Sequence, residues 1–362
     1  MLNARPRVGL LPLYLKLYDD GMADRRPRME AFYNQIAAEL ENRGLQVARA
    51  PICRVAPEFD AAVKSFEEAR AEAIVTLHLA YSPSMESADA LSRTRLPIIV
   101  CDTTPTYGFG PRQDPDEVMY NHGIHGVQDM CNLLIRRGKS FTIQAGHWQK
   151  SDVLDRVVRD VSAARAASLI RNLRVGLIGR PFKGMGDFSV PVGEMRHRIG
   201  VDVRTLEPRR FARLLASVTE QELQEEREAD AKRFDFAKVT PEAYMRSART
   251  GLAVKKWVEH EGLGAFTVNF LDVTRTNGIP TVPFLQASKL MAAGIGYAGE
   301  GDTLTASLVA ALAAVFPQTS FTEMFCPDWQ GGTVYLSHMG EVNYSLVAGK
   351  PRLHEMDYRW SD

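Results

Sequence analysis

Nearly unbroken apolar runs alternate with amphipathic stretches along residues 1–172. Arg7–Leu13 and Ala73–Leu79 are almost wholly apolar, which is typical of strands buried on both faces of a parallel sheet. Between them, Pro27–Arg43 carries apolar residues at helical spacing and Gly44 follows, so we predict a helix there. This alternation predicts that residues 1–172 form a doubly wound, Rossmann-like α/β domain.

The same alternation resumes further along the chain. Leu173–Gly179 and Ala265–Phe270 are predicted strands, and the periodicity of Pro241–Glu261 predicts a helix. Residues 173–316 are therefore predicted to be a second doubly wound, parallel-sheet domain. Beyond Pro317 the segments TVYLSHM and NYSLVA alternate as strands do, so residues 317–362 are predicted to begin a C-terminal β-rich domain.

Two further helices are predicted in the second domain, and they differ in character. Thr219–Arg233 is strongly charged, which is typical of a solvated helix. Thr303–Phe316 is apolar, and the glycine-rich segment before it, read as a loop, delivers Glu300 and Asp302 to its start. Asp302 is explained as a helix N-cap. Glu300 has no such explanation, because a carboxylate fixed between glycines is costly unless it is exposed or bonded.

The glycines themselves superficially match a dinucleotide-binding fingerprint. They follow a predicted helix rather than a strand, so the context that such a fingerprint needs is missing.

Composition excludes several classes of partner. The 44 basic and 44 acidic side chains cancel, so no overall field attracts nucleic acid or a membrane surface. No apolar run approaches the ~18 residues of a membrane span, and the N-terminus lacks the long apolar core of a secretory signal. Four widely spaced cysteines without a CxxC pair indicate a reduced compartment and no disulfide framework. A cytoplasmic protein is predicted.

Three side chains stand out as candidate chemistry. Glu323 lies in the aromatic-flanked segment SFTEMF, where it should be mostly buried, and His338 lies in the apolar segment YLSHMG. Each has an ordinary explanation alone, as a surface carboxylate or a hydrogen-bonded core histidine. Together with Glu300 they predict a divalent metal site that suits Mn²⁺ or Mg²⁺ better than Zn²⁺. The same groups could instead move protons on and off a substrate carbon.

Six short motifs carry a resemblance to a known family. In chain order they read NHGIHGVQD, AGHW, FTVNF, GEGD, TSFTEMF and SHMGEVN. This combination resembles the L-arabinose isomerase / L-fucose isomerase superfamily, and it is closest to the arabinose isomerase side. The resemblance implies a metal-dependent aldose–ketose isomerase that transfers a proton between C1 and C2 of a sugar through an ene-diol.

The resemblance also implies roles for individual residues. Glu300 and Glu323 would be the acid/base pair and, with His338, the ligands of Mn²⁺ or another divalent cation such as Mg²⁺ or Co²⁺. A homo-oligomer is implied, a trimer or hexamer with the active site at a subunit interface. The residues that match or replace substrate-binding positions of the family are His125, which would reach a neighbouring subunit's site, Met185, Thr267, Phe270, Tyr14 and Tyr18.

One expected ligand has no counterpart. The family holds its metal with a fourth ligand, a histidine in a C-terminal domain, and His354, the only histidine after His338, does not match it. We therefore expect most of that domain to be absent. The alternative function is a non-catalytic sugar-binding or regulatory relative with an incomplete active site.

Overall fold

The structure is a computed structural model that describes residues 5–274 and 278–357. The chain divides into two compact units, an N-terminal unit up to Arg165 and a C-terminal unit from Ala166 onward. The predicted three-part division at residues 172 and 316 stays a prediction, and its outer limits, residues 1 and 362, lie outside the described residues. Within the described residues, no helix has the length and apolar character to cross a membrane.

The N-terminal unit is a five-stranded parallel sheet with helices on both faces. The strand order is β2-β1-β3-β4-β5, and every neighbouring pair is parallel. In chain order its elements are β1 (Arg7–Leu13), α1 (Lys16–Gly21), α2 (Arg26–Asn42), β2 (Gln46–Arg49), α3 (Ala56–Glu68), β3 (Ala73–His78), α4 (Ser84–Arg93), β4 (Ile98–Asp102), α5 (Val118–Asn121), α6 (Gly123–Arg136), β5 (Phe141–Ala145) and α7 (Val153–Ile170). The predicted doubly wound α/β fold is confirmed.

Successive side chains along a strand point alternately into two hydrophobic cores, one on each face of this sheet. Leu10 of β1 packs with α2 and α7, whereas its neighbour Leu11 packs with α3, α4 and α6. Because both faces are covered, the central strands β1, β3 and β4 are buried along nearly their whole length, which is why they are nearly unbroken apolar runs.

The C-terminal unit contains a second parallel sheet, of four strands, in the order β10-β9-β6-β7. In chain order its elements are β6 (Arg174–Ile178), α8 (Val192–Ile199), β7 (Asp202–Thr205), α9 (Pro208–Ala216), α10 (Glu220–Arg233), β8 (Asp235–Lys238), α11 (Pro241–Glu261), β9 (Ala265–Val268), α12 (Phe284–Ala292), β10 (Gly296–Gly299), α13 (Thr303–Ala313), β11 (Glu323–Asp328), β12 (Thr333–Ser337) and β13 (Arg352–His354). The prediction of a second α/β sheet is therefore confirmed.

Strand β10 corrects the reading of the glycine-rich segment as a loop. All four residues of β10 are buried. A Cβ at Gly296 would lie 2.4 Å from the carbonyl oxygen of Ala306 in α13. Gly296 therefore allows the helix to approach the strand closely. Glycine is depleted in strands, so its local pattern indicates a loop even where packing makes a strand.

After α13 the chain forms a small antiparallel hairpin. Among residues 5–274 and 278–357, strands β11 and β12 pair only with each other, and most of their residues are exposed. The second predicted strand, NYSLVA, is wrong, because Tyr344–Leu346 is a 3₁₀ turn whose N-cap is the Asn343 side chain. Instead β13 pairs in parallel with β8.

Candidate active site

The carboxyl end of the second sheet gathers several of the predicted site residues. Connections leave β6 in opposite directions, to β7 on one side and β9 on the other, and ligands of α/β proteins commonly bind outside such a point. Met185 lies in the loop after β6, Phe270 follows β9, and Glu300 follows β10. All three belong to the C-terminal unit.

Glu300 sits in an unusual backbone conformation. Its φ is +63°, in the left-handed region that disfavours residues with a Cβ. Both flanking peptides are fixed by one side chain: the Thr267 hydroxyl donates to the Gly299 carbonyl oxygen at 3.0 Å and accepts from the Gly301 N–H at 3.0 Å. The Phe182 N–H donates to the Glu300 carbonyl oxygen at 2.9 Å. The turn is therefore held from β9 and from the loop after β6.

The hairpin brings Glu323 and His338 together. Glu323, the first residue of β11, pairs with Ser337, the last residue of β12, and His338 follows directly. The imidazole Nε2 lies 3.9 Å from a carboxylate oxygen of Glu323. Antiparallel pairing thus places side chains that are fifteen positions apart in the chain (323 and 338) at one end of the hairpin.

His338 is held in a closely fitted pocket. Its side chain is only 3% exposed, and its ring meets the Phe321 ring edge-on with centroids 4.8 Å apart. A Cβ at Gly299 would lie 2.6 Å from the His338 Cε1. The last glycine of β10 therefore provides the space that the imidazole occupies.

Glu341 orients the imidazole, a role that we did not assign from the sequence. Its Oε1 lies 2.7 Å from the His338 Nδ1 and accepts a hydrogen bond from the Tyr297 hydroxyl at 2.9 Å. The carboxylate is buried, and its contact favours the tautomer that carries the proton on Nδ1. The His338 Nε2 then presents a lone pair, and within the described chain it has no hydrogen-bond partner. The sequence signal that could have indicated this role is the position of Glu341 three residues after His338 in SHMGEVN.

The pKa values of Glu300 and His338 are shifted by burial and by neighbouring charges. The pKa of Glu300 is raised, first by burial and then by the negative charge of Glu323, while the positive charge of His338 opposes the shift. Burial lowers the pKa of His338, but its hydrogen bond to Glu341 and the surrounding negative charges outweigh burial, so the net pKa is raised. Glu300 is therefore a carboxyl group that takes up a proton more readily than an ordinary glutamate.

Glu323 differs from its expected environment. Its side chain is 39% exposed, so the expectation of a mostly buried carboxylate is wrong. Among the described residues the hairpin has no third strand, and its aromatic neighbours therefore do not enclose it. Glu323 instead faces both solvent and the buried His338.

The other predicted residues of this unit differ in accessibility. Met185 is exposed, whereas Phe270 is 7% exposed with its ring 6.0 Å from that of Phe182. Thr267 is fully buried, and its hydroxyl is engaged with the backbone around Glu300. Their predicted contacts with substrate stay predictions.

The remaining predicted residues belong to the N-terminal unit. The Tyr18 hydroxyl lies 3.0 Å from the His122 Nε2, and the His122 ring centroid lies 6.3 Å from that of the exposed His125. Tyr14 is 1% exposed and lies under the guanidinium of Arg26. Tyr14 is thus a core residue of this unit, and the binding roles of Tyr14, Tyr18 and His125 stay predictions.

The side chains of Glu300, Glu323 and His338 offer the kinds of donor atom that bind a divalent metal, although they do not form a ready-made metal-binding cluster. Across residues 5–274 and 278–357, no three histidine, cysteine, aspartate or glutamate side chains are grouped so that they could hold a metal ion. The fit rests on the buried, unpaired His338 Nε2 facing Glu323, and on the two carboxylates whose charges act on each other. One imidazole and two carboxylates suit Mn²⁺.

Comparison with known proteins supports the resemblance that the motifs carry. Residues 192–317 match the family model of the L-arabinose isomerase central domain. The central part of this chain is thus similar to the L-arabinose isomerase family. The matched segment contains β10 and the turn at Glu300, and the resemblance drawn from the motifs is confirmed.

Curated members of this superfamily align over much of the chain. L-arabinose isomerase 1 of Bacillus licheniformis is 27% identical over 310 residues, which cover 83% of this chain and 62% of the relative. L-arabinose isomerase 2 of the same organism is 26% identical, covering 67% and 53%. The Herpetosiphon aurantiacus L-arabinose isomerase is 28% identical, covering 66% and 50%. The chain thus spans about half the length of the curated relatives that it matches. Among solved structures, a periplasmic sugar-binding protein from Legionella pneumophila aligns with 11% identity over 87% of this chain and 97% of its own, at a TM-score of 0.20, too low for any argument.

Proposed function

We propose that this chain carries the active site of a metal-dependent aldose–ketose isomerase, which transfers a proton between C1 and C2 of a sugar. The observation that carries the proposal is the approach of Glu300, Glu323 and His338 from separate elements at the carboxyl end of the sheet. Curated relatives named L-arabinose isomerases support it.

The proposed chemistry divides between the two carboxylates. The Glu300 carboxyl group, whose pKa is raised, is suited to take a proton from one carbon and return it to the next. Glu323 is partly exposed and is suited to exchange hydroxyl protons with substrate and solvent. General acid–base catalysis of this kind contributes ~10²–10⁴-fold.

Glu300, Glu323 and the His338 Nε2 would hold the divalent cation, with Mn²⁺ as the expected metal. When bound, the cation supplies Lewis-acid stabilisation of negative charge on the sugar oxygens. Glu341 contacts the His338 Nδ1 and accepts a hydrogen bond from the Tyr297 hydroxyl. These contacts would orient the imidazole so that its Nε2 faces the proposed metal site.

The proposal extends to substrate and assembly. Met185 and Phe270, near the same end of the sheet, would contact the sugar, and a cytoplasmic homo-oligomer would bring His125 of one subunit to the site of another. Tyr18 lies within hydrogen-bond distance of His122, three residues before His125, which supports a binding surface in the N-terminal unit.

The test is turnover of a panel of aldoses, L-arabinose among them, with Mn²⁺ and after chelation. We expect Mn²⁺-dependent isomerisation that falls by at least about 10²-fold in Glu323→Gln and is unchanged in Glu225→Gln, a matched change on the exposed face of α10. Absence of metal-dependent turnover in the wild-type protein would overturn the proposal.

A non-catalytic sugar-binding relative is the second candidate. It is favoured by the lack, within the described chain, of three side chains already arranged to hold a metal ion. Calorimetric titration separates the two candidates, because the binder takes up a sugar without converting it and without needing Mn²⁺.

A further inference from the structure

The backbone at Glu300 requires an explanation beyond the chemistry of its carboxylate. Within the described residues it is one of two non-glycine residues with positive φ, the other being Arg70. A non-glycine residue persists in this region only when its surroundings hold it there. Both neighbours of Glu300, residues 299 and 301, are glycines. The residue between them, which carries the carboxylate, nevertheless adopts the disfavoured conformation.

A single buried hydroxyl fixes the peptides on both sides of Glu300. Thr267 is fully buried in β9, and its hydroxyl donates to the Gly299 carbonyl oxygen while accepting from the Gly301 N–H. Both distances are 3.0 Å. A threonine hydroxyl has one proton to donate, and here that proton is used by the backbone. Thr267 therefore has no free donor for a sugar hydroxyl.

A second layer supports this turn from the loop after β6. A Cβ at Gly301 would lie 2.6 Å from the Arg180 carbonyl oxygen, so the two backbones are in close contact. The Asn269 side chain donates to that same oxygen at 2.8 Å, and the Arg180 N–H donates to Asp272 at 2.8 Å. The backbone at Arg180, against which the turn packs, is thus fixed by hydrogen bonds, and Thr267 holds the Gly299–Gly301 turn in contact with it.

We propose that Thr267 is a positioning residue for Glu300: its hydroxyl locks the Gly299–Gly301 turn so that the Glu300 carboxylate faces Glu323 and His338. The consequence for activity rests on the proposed isomerase function, but the locking of the turn does not. This role differs from the substrate contact that the resemblance implies for the same residue.

Two substitutions at Thr267 separate the hydroxyl from the shape of the side chain. Thr267→Val keeps the branched shape and removes the hydrogen bonds, whereas Thr267→Ser keeps the hydroxyl. Thr76→Val is the matched control, because Thr76 is also fully buried in a central parallel strand but its hydroxyl has no hydrogen-bond partner within the described chain.

The first readout is independent of activity. Hydrogen–deuterium exchange at the Gly301 amide is followed in the folded proteins, since this amide is protected by its bond to Thr267. We expect about 10-fold faster exchange in Thr267→Val, with wild-type protection in Thr267→Ser and in Thr76→Val. Unchanged protection in Thr267→Val would overturn the proposal.

The second readout is Mn²⁺ affinity together with turnover. We expect Thr267→Val to lose about 10- to 100-fold in Mn²⁺ affinity or in kcat, the usual effect of removing a group that supports a metal ligand, and Thr267→Ser to restore most of it. A direct substrate contact predicts instead a rise in KM with unchanged Mn²⁺ affinity, and that result would overturn the positioning role. If the wild-type protein neither binds Mn²⁺ nor turns over aldoses, the proposed function fails, and the exchange at Gly301 still decides whether Thr267 locks the turn.

Discussion

The His338 Nδ1 and the Glu341 Oε1 lie 2.7 Å apart, inside the C-terminal unit, with both side chains almost fully buried. A buried carboxylate that accepts from one ring nitrogen fixes the tautomer and directs the other nitrogen outward. Here the other nitrogen lies 3.9 Å from the Glu323 carboxylate. The hydrogen bond between His338 and Glu341 therefore fixes the direction in which the His338 Nε2 presents its lone pair.

Replacing Glu341 with alanine is expected to weaken Mn²⁺ binding by about 10- to 100-fold, because the imidazole loses the acceptor that orients it. The Tyr297 hydroxyl loses a partner as well. The dissociation constant is measured by electron paramagnetic resonance titration of free Mn²⁺. Glu225→Ala, on the exposed face of α10, is the control and should bind as the wild type does. Equal affinities of the two variants would contradict the orienting role.

Gly299→Ala is expected to destabilise the protein through a steric clash in the pocket around His338. The added methyl group would lie 2.6 Å from the His338 Cε1, and the ring cannot retreat freely because it rests against Phe321. Overpacking of this kind costs about 1–3 kcal/mol of the free energy of unfolding, which thermal or urea denaturation measures.

The control for this change is Gly193→Ala in α8, where a Cβ meets nothing within 4 Å. Alanine in a helix is favoured over glycine by about 0.5–1 kcal/mol, so this variant should be slightly more stable than the wild type. A Gly299→Ala protein as stable as Gly193→Ala, with unaltered Mn²⁺ affinity, would mean that the pocket around His338 is not closely fitted.

The sheets and most helices follow from local patterns, and the sequence predicts them well. Arg7–Leu13 and Pro241–Glu261 were predicted with the bounds that the structure has. Burial on both faces of a strand, or on one side of a helix, leaves a regular signal in neighbouring residues. Glu300, Glu323 and His338 could be singled out from the sequence as a carboxylate without a capping role and two polar residues in apolar segments, and their roles stay predictions.

The features that were missed depend on contacts between distant parts of the chain. The helix at Thr219–Arg233 was expected to be solvated, yet its Asp230 is fully buried and pairs with Lys289 of α12 at 2.7 Å. The burial of Glu341 likewise depends on Tyr297, far away in sequence. No local pattern carries such pairings, because the partner is specified only when the elements pack.

Acid should destabilise the protein through His78, a buried histidine outside the candidate site. Burial lowers the pKa of His78 to about 3, with the charge of Asp129 acting weakly in the opposite direction. An unfolded histidine has a pKa near ~6.5, so between that pH and about 3 the unfolded chain binds a proton that the folded chain does not. The free energy of unfolding should therefore be unaffected by this group above pH ~6.5 and fall by about 1.4 kcal/mol per pH unit below it.

Urea denaturation of the wild type and of His78→Asn at a series of pH values measures this contribution. The variant is expected to be less stable at neutral pH, since the imidazole packs against Gly126, but to lose about 1.4 kcal/mol less per pH unit on acidification between pH ~6.5 and ~4. His197→Asn, a change of an exposed histidine in α8, should keep the wild-type slope. Parallel slopes for the wild type and His78→Asn would show that His78 is protonated in the folded protein, because only a histidine held neutral by burial makes unfolding take up a proton.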